Sequence, residues 1–187
     1  MEDHSLLLYW SIVICEAAFW ILLIAGLAVR YLLRREGISR ALLMSLPVID
    51  LLLLLFTALD LRAGSAATFA HGLATAYVGF TVAFGSVAVR WADSHFAHRF
   101  AGGPAPAKAP KLGWQAVRYE LQLWLRCIVA WIIAIGLLVA LMAYVGDDLR
   151  TEPLHVWFRI AVGSVFFWFV FGPAWSLVFF RRETKMI

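Results

Sequence analysis

The sequence contains little charge and little cysteine. Only 15% of its 187 residues are Asp, Glu, Lys or Arg, and its two cysteines, Cys15 and Cys127, lie far apart in apolar runs. Their separation excludes a CxxC redox motif and favours two buried thiols. The low charge excludes an ordinary soluble domain, because 63% of the residues are hydrophobic and a chain this short cannot bury them all. The lipid bilayer is the environment that fits such a composition.

The motifs of familiar enzymes and cofactor sites are also missing. The sequence has no GxSxG, HExxH or P-loop pattern, and His4, His71 and His155 lack metal-ligand spacing. No histidine lies deep in an apolar run, where haem bound between spans would usually need one. No lysine lies in such a run either, which argues against a retinal Schiff base. We therefore predict no metal, no cofactor and no catalytic residue, which favours a non-enzymatic protein.

Five apolar segments are long enough to cross a bilayer, which takes about 20 residues. They are residues 6–29, 41–61, 69–89, 127–145 and 156–180. Backbone groups in hydrocarbon must hydrogen-bond within the protein, so each segment is predicted to be a helix. The predicted fold is an all-α, multi-pass membrane protein with five transmembrane helices.

The basic residues predict how these helices are oriented, because Lys and Arg are enriched in cytoplasmic loops. With the N-terminus outside, 13 of the 16 Lys and Arg residues fall on the cytoplasmic side, and the C-terminus lies there as well. The exceptions are Arg62, Arg150 and Arg159. The net charge of +4 therefore indicates membrane topology, and we expect no nucleic-acid partner.

Residues 90–126 form the longest connection between the predicted spans. We expect RWADSHFAHRF to continue the third helix into the cytoplasm, followed by an extended Pro/Gly linker, AGGPAPAKAP, and then by an amphipathic helix. The apolar face of that helix holds Trp114, Val117, Leu121, Trp124 and Leu125. Such a face is typical of a helix lying at the lipid headgroups, and the alternative is a face that docks a partner helix.

Two carboxylates fall near the middle of predicted spans. Glu16 and Asp50 each lie roughly 13–15 Å from a membrane surface, so the two could meet at one depth. An ionised carboxylate there costs about 2.5–3.5 kcal/mol, and no basic residue lies nearby, so we predict that at least one is protonated. A polar clasp between helices is the favoured interpretation, and a proton or cation relay is the alternative.

Asp60 lies about 15 Å further along the second span, at the outer boundary, and does not share the site of Asp50. Arg62, His71 and Arg159 lie at a similar depth. We predict an ion pair between Asp60 and Arg159 or Arg62 that fixes the helix ends. An outer polar pocket for an ion or a small solute is the alternative.

Small residues and one proline indicate how the later helices pack. Thr75, Gly79 and Ala83 recur every four residues in the third span, which predicts a central helix approached closely by others. Homodimerisation through the same residues is the alternative. Pro173 removes a backbone donor and predicts a kink around Phe169–Gly172 in the fifth span.

The motifs FAHG, VAFG, RWAD, RFAGGP and RYE occur within residues 47–126. They resemble a group of uncharacterised bacterial integral membrane proteins of the YmcC type. The resemblance implies a bacterial plasma-membrane protein, and it supplies no catalytic residue because the group has no known activity. The candidates for a cytoplasmic contact surface within these motifs are Arg90, Trp91, Asp93 and Arg99.

Taken together, these observations predict a membrane protein that acts through protein or lipid interaction, with residues 90–126 as its protein contact surface. A small proton- or cation-coupled transporter that uses Glu16 and Asp50, as a homo-oligomer, is the alternative. An enzyme acting on lipid or quinone is a second alternative.

Overall fold

The structure is a computed structural model that describes residues 2–179 except Arg34, Lys111 and Leu112. Its helices are α1 (Glu2–Tyr31), α2 (Glu36–Arg62), α3 (Phe69–Phe100), α4 (Gly113–Val145), α5 (Asp148–Thr151), α6 (Val156–Phe169) and α7 (Trp175–Val178). A 3-10 turn, Glu152–His155, joins α5 to α6, and a π turn, Val170–Ala174, joins α6 to α7. The described residues contain no strand, so the predicted all-helical class is confirmed.

Four helical stretches are long and apolar enough to cross a membrane. They are α2, α3, α4 and the run from Asp148 to Val178. The end of α1, from Trp20 to Tyr31, is apolar over a shorter length. The chain is therefore a multi-pass helical membrane protein. The side chains of Cys15 and Glu16 lie outside the described set, so the predicted meeting of Glu16 with Asp50 stays a prediction.

The long helices alternate in direction, which gives the bundle two ends. The Asp60 end holds the last residues of α2 and α4, the first residues of α3, and all of α5. The Arg30 end holds the last residues of α1 and α3, the first residues of α2 and α4, and α7. Helices α3 and α4 form the central pair, with α1 and α2 on one side of it and α6 on the other.

Small residues allow α3 and α4 to approach closely. A Cβ atom at Gly79 would overlap the carbonyl oxygen of Ala130 and lie 3.0 Å from Ala134 Cβ. Ala130 and Ala134 are themselves almost fully buried. Where lipid provides no hydrophobic drive, helices associate through such close van der Waals contact. The position of α3 agrees with the prediction made from its small residues.

Residues 90–126 contain the end of α3, as the sequence predicted, then a connection whose described residues form no helix, and the first part of α4. Helix α3 continues to Phe100, and α4 begins at Gly113 and runs without a break into the fourth span. No proline interrupts residues 113–145, so the backbone hydrogen bonds continue and the amphipathic segment is the first part of α4. Its position at the lipid headgroups stays a prediction.

The apolar face of that segment lies partly inside the bundle and partly on its surface. Val117 is buried in the bundle, and Trp124 Nε1 donates a hydrogen bond to the carbonyl oxygen of Val165 at 3.0 Å. Trp114 and Leu125 remain exposed.

At the other end of the chain, Pro173 lies in the π turn, which lets the helix continue past a residue without an N–H group.

Candidate functional site

The main cavity of the described residues is a groove between α1, α2 and α3. Its volume is about 760 Å³, within the range of about 300–1,000 Å³ that is usual for ligand pockets. Its walls are Trp20 and Leu23 of α1, six residues of α2 between Leu43 and Leu53, and ten residues of α3 between Tyr77 and Ala92. We call this cavity the groove.

Small side chains on α3 leave the space open. Gly85, Ala88 and Ala92 line the groove, and a Cβ atom at Gly85 would meet only Thr81 Cγ2, at 3.8 Å. Larger side chains at these positions would let α3 fill the space itself. The wall is predominantly apolar, and its polar side chains are few: Asp50, Tyr77, Thr81 and Ser86.

Asp50 lies on the groove wall and is only 6% exposed. The hydroxyl of Thr81 on α3 donates a hydrogen bond to Asp50 Oδ2 at 2.5 Å, which ties α2 to α3. The sequence singled out Asp50 but missed Thr81. A threonine in an apolar helix gives a weak signal, and only the register of the two helices brings it to the carboxyl group. This bond is a polar clasp between α2 and α3, whereas the clasp between Glu16 and Asp50 that the sequence favoured stays a prediction.

The outer-rim candidates lie at the Asp60 end, where Asp60 is bonded to His71. His71 Nε2 lies 3.3 Å from Asp60 Oδ2, and the Ser65 hydroxyl donates to Asp60 Oδ1 at 3.0 Å. Among the described residues, the predicted ion pair of Asp60 with Arg62 or Arg159 is not formed. The Arg62 guanidinium instead lies 4.5 Å from the centre of the Tyr144 ring.

His71 itself is 1% exposed and belongs to the capping box of α3. The backbone N–H of Thr68 donates to His71 Nδ1 at 3.0 Å, so Nδ1 is the unprotonated nitrogen and Nε2 carries the proton given to Asp60. Both ring nitrogens are therefore engaged in holding the α2–α3 turn. This arrangement indicates a structural histidine and leaves no free nitrogen for acid–base chemistry.

Arg150 is the residue at this end that sequence reasoning did not select. Its Nη2 donates to the carbonyl oxygens of Leu61 and Ser65, the latter at 2.9 Å. Its own carbonyl oxygen accepts from the N–H of Ala67 at 3.1 Å. A guanidinium here satisfies carbonyls that the end of α2 leaves without a helical partner. Asp147 caps α5 and thereby positions Arg150. The carbonyl partners of Arg150 are distant in sequence, so the sequence alone does not indicate them.

Four candidates from the 90–126 segment lie at the Arg30 end. Asp93 points into the bundle and pairs with Arg30, whose Nη1 lies 3.3 Å from Asp93 Oδ1. Trp91 is 64% exposed and lines the groove. Arg90 and Arg99 are exposed, and neither lines the groove. The structure therefore does not unite these four residues in one site.

Metal binding has no support in the described part of the chain. No group of three or more His, Cys, Asp or Glu side chains lies close enough together there to hold a metal ion. The two polar clusters, one at Asp60 and the other at Asp50, each contain a single carboxylate. The groove has room for a ligand of another kind.

Comparison with known proteins identifies the family. The chain is 40% identical over 146 residues to the uncharacterized membrane protein YmcC of Bacillus subtilis (strain 168), and the match covers 78% of each protein. No family model matches the chain, and no solved structure is significantly similar to it. The chain belongs to the YmcC family of uncharacterised membrane proteins, as the motifs of residues 47–126 predicted.

Proposed function

We propose that this protein acts by binding a membrane lipid in the groove between α1, α2 and α3, without catalysing a reaction. The observation that carries the proposal is the groove itself, with its volume of about 760 Å³ and its mainly apolar wall. An apolar pocket with a few placed polar groups is the usual form of a site for a hydrophobic ligand. Exposed wall residues such as Met44 and Trp91 leave the groove accessible from the bilayer.

The proposal includes five transmembrane helices in a bacterial plasma membrane, with the N-terminus outside and the C-terminus in the cytoplasm. The Arg30 end would be cytoplasmic, and it carries the exposed residues Arg40, Arg90 and Arg99. The Asp60 end would be external. This topology can be tested with a membrane-impermeant thiol reagent and single cysteines introduced at Gly102 and Gly146. We expect labelling of Gly146→Cys from outside, and of Gly102→Cys only after the membrane is opened.

The experiment for lipid binding uses native mass spectrometry of the protein released from membranes in mild detergent. We expect the wild type to retain one lipid per chain after washing that removes loosely held lipid. Ala88→Trp should lose this lipid, because the indole would occupy the groove. Val82→Trp is the matched control, since Val82 is exposed on the same helix but does not line the groove.

Two results would contradict lipid binding in the groove. One is a wild-type protein that retains no lipid under these conditions. The other is equal retention by the wild type, Ala88→Trp and Val82→Trp, which would place the retained lipid elsewhere on the protein.

Proton or cation transport is the second candidate function, and the position of Asp50 favours it. Its carboxyl group lies on the wall of a cavity that extends along α3 toward the Arg30 end. Protein reconstituted in liposomes would be assayed for pH-dependent flux with wild type and Asp50→Asn. Flux that is present in the wild type and absent in Asp50→Asn would favour transport, and no flux from the wild type would favour binding alone.

A further inference from the structure

We infer that the groove selects an anionic phospholipid, whose phosphate lies at the Arg30 end while one acyl chain extends inside the groove toward Asp50. This inference rests on the proposed function and names the class of lipid and its orientation. Three features support it: the length of the groove, the position of two arginines beyond its end, and the charge of that end.

The part of the groove between its Arg30 end and Asp50 is about as long as one leaflet is thick, and the wall continues beyond it to Tyr77. The wall of α3 spans eleven residues from Ala92 to Thr81, or about 16 Å of helix, and Thr81 is the residue that donates a hydrogen bond to Asp50. The hydrocarbon core of a bilayer is about 30 Å thick, so one leaflet provides about 15 Å. An acyl chain that enters at the Arg30 end would therefore reach the Asp50 clasp at the end of its leaflet.

Arg40 lies on the groove side of α2, beyond the last wall residue. It precedes Pro47 by seven residues, which at 100° per residue places both within about 20° of the same face. It also precedes the wall residues Leu43 and Met44 by three and four residues. Arg40 is exposed and forms no ion pair within the described part of the chain.

Arg30 lies in the equivalent place on α1. It follows the wall residue Leu23 by seven residues, so it shares that face and lies about two turns nearer the end. Its guanidinium is paired with Asp93, and its side chain remains 40% exposed. The two arginines thus extend two walls of the groove to the level where a phosphate would lie.

The charge of this end fits an anion. Asp93 neutralises Arg30, and Glu36, one turn beyond Arg40 on the same face, offsets one of the two exposed arginines Arg35 and Arg40, which leaves one surplus positive charge among these residues. A guanidinium donates paired N–H groups that match the oxygens of a phosphate. The cytoplasmic leaflet, where the proposed topology places this end, is the one rich in anionic lipid.

The experiment compares phosphatidylglycerol with phosphatidylcholine of the same acyl chains, added to delipidated full-length protein and measured by native mass spectrometry. We expect the wild type to bind phosphatidylglycerol more tightly. Arg40→Gln should weaken that binding about fivefold, the effect of one basic residue near an anionic surface, and weaken phosphatidylcholine binding less, because the choline offsets the charge of its phosphate. Arg118→Gln is the matched control, because it removes the same charge from the same end, where Arg118 is exposed on α4, a helix that contributes no residue to the groove wall.

Each other outcome contradicts a different claim. Equal binding of the two lipids, or equal losses in Arg40→Gln and Arg118→Gln, would overturn the anionic headgroup and leave lipid binding in the groove intact. Binding of neither lipid by the wild type would overturn the proposed function. The two failures are therefore distinguishable within one series of measurements.

Discussion

The two sides of α3 are packed in opposite ways. Toward α4, Gly79 lies so close to Ala130 that a Cβ atom would overlap the carbonyl oxygen. Toward α1 and α2, a Cβ atom built at Gly85 would have its nearest neighbour 3.8 Å away, and the groove lies beside this residue. The same residue type therefore permits close contact on one side and leaves space on the other.

The difference indicates that the two sides of α3 have different roles in the bundle. Helices α3 and α4, with the polar contacts of the Asp60 end, form a closed unit, in which a methyl group added at Gly79 would meet atoms of α4. The groove side is held by the Asp50–Thr81 bond and by apolar contacts near the Arg30 end, such as those of Leu23, Leu27 and Leu46. An occupant can therefore enter on that side without disturbing the closed unit.

The largest expected effect comes from the same substitution made on both sides of α3. Gly79→Ala should lower the free energy of unfolding by about 1–3 kcal/mol, because its methyl group meets backbone atoms that cannot move away alone. Gly85→Ala should be neutral or stabilising by up to about 1 kcal/mol, since the helix gains propensity and the groove has room. Thermal unfolding in detergent micelles measures both. Equal stabilities of the two variants would contradict the asymmetry.

The second prediction tests whether the polar contacts of His71 stabilise the Asp60 end. His71→Ala removes the capping nitrogen and the partner of Asp60, and should cost about 1–3 kcal/mol, the usual consequence of leaving buried polar groups without partners. His95→Ala is the matched control because His95 is exposed, so its effect should stay within about 0.5 kcal/mol. Chemical denaturation of both proteins would reveal the difference. A tolerated His71→Ala would mean that this end does not depend on the network.

The smallest effect concerns the clasp beside the groove. Thr81→Val keeps the shape and removes the donor to Asp50, so it should cost about 1 kcal/mol or less. Thr57→Val changes the same atoms at a buried hydroxyl that has no hydrogen-bond partner among the described residues, so it should be neutral or stabilising. Unfolding followed by intrinsic fluorescence compares them. A larger loss for Thr57→Val than for Thr81→Val would contradict the clasp.

Much of the fold could be predicted from the sequence because its causes are local. Apolar runs of sufficient length require helices in a bilayer, and Gly79 among small residues indicated close packing. Residues 113–126 were predicted as an amphipathic helix that precedes the fourth span. No breaking residue separates them from the fourth span, so the helix continues.

The sequence indicated only some of the residues in these polar contacts, because their partners are distant in sequence. Asp50 and Asp60 stood out as carboxylates in or beside apolar runs. Their partners Thr81 and His71, and the Arg150 guanidinium over the end of α2, depend on how the helices are placed against one another. The groove is a space between three helices, and no residue pattern within a single helix marks it.

The central claim is that an acyl chain lies in the groove, and photocrosslinking tests it most directly. A phosphatidylglycerol with a diazirine near the end of one acyl chain would be added to membranes, activated, and its site mapped by mass spectrometry of peptides. The lipid-bound groove predicts concentrated labelling within residues 43–53 and 77–92, abolished in Ala88→Trp and retained in Val82→Trp. Labelling spread evenly over the exposed faces of α2, α4 and α6, and unchanged in Ala88→Trp, would contradict it.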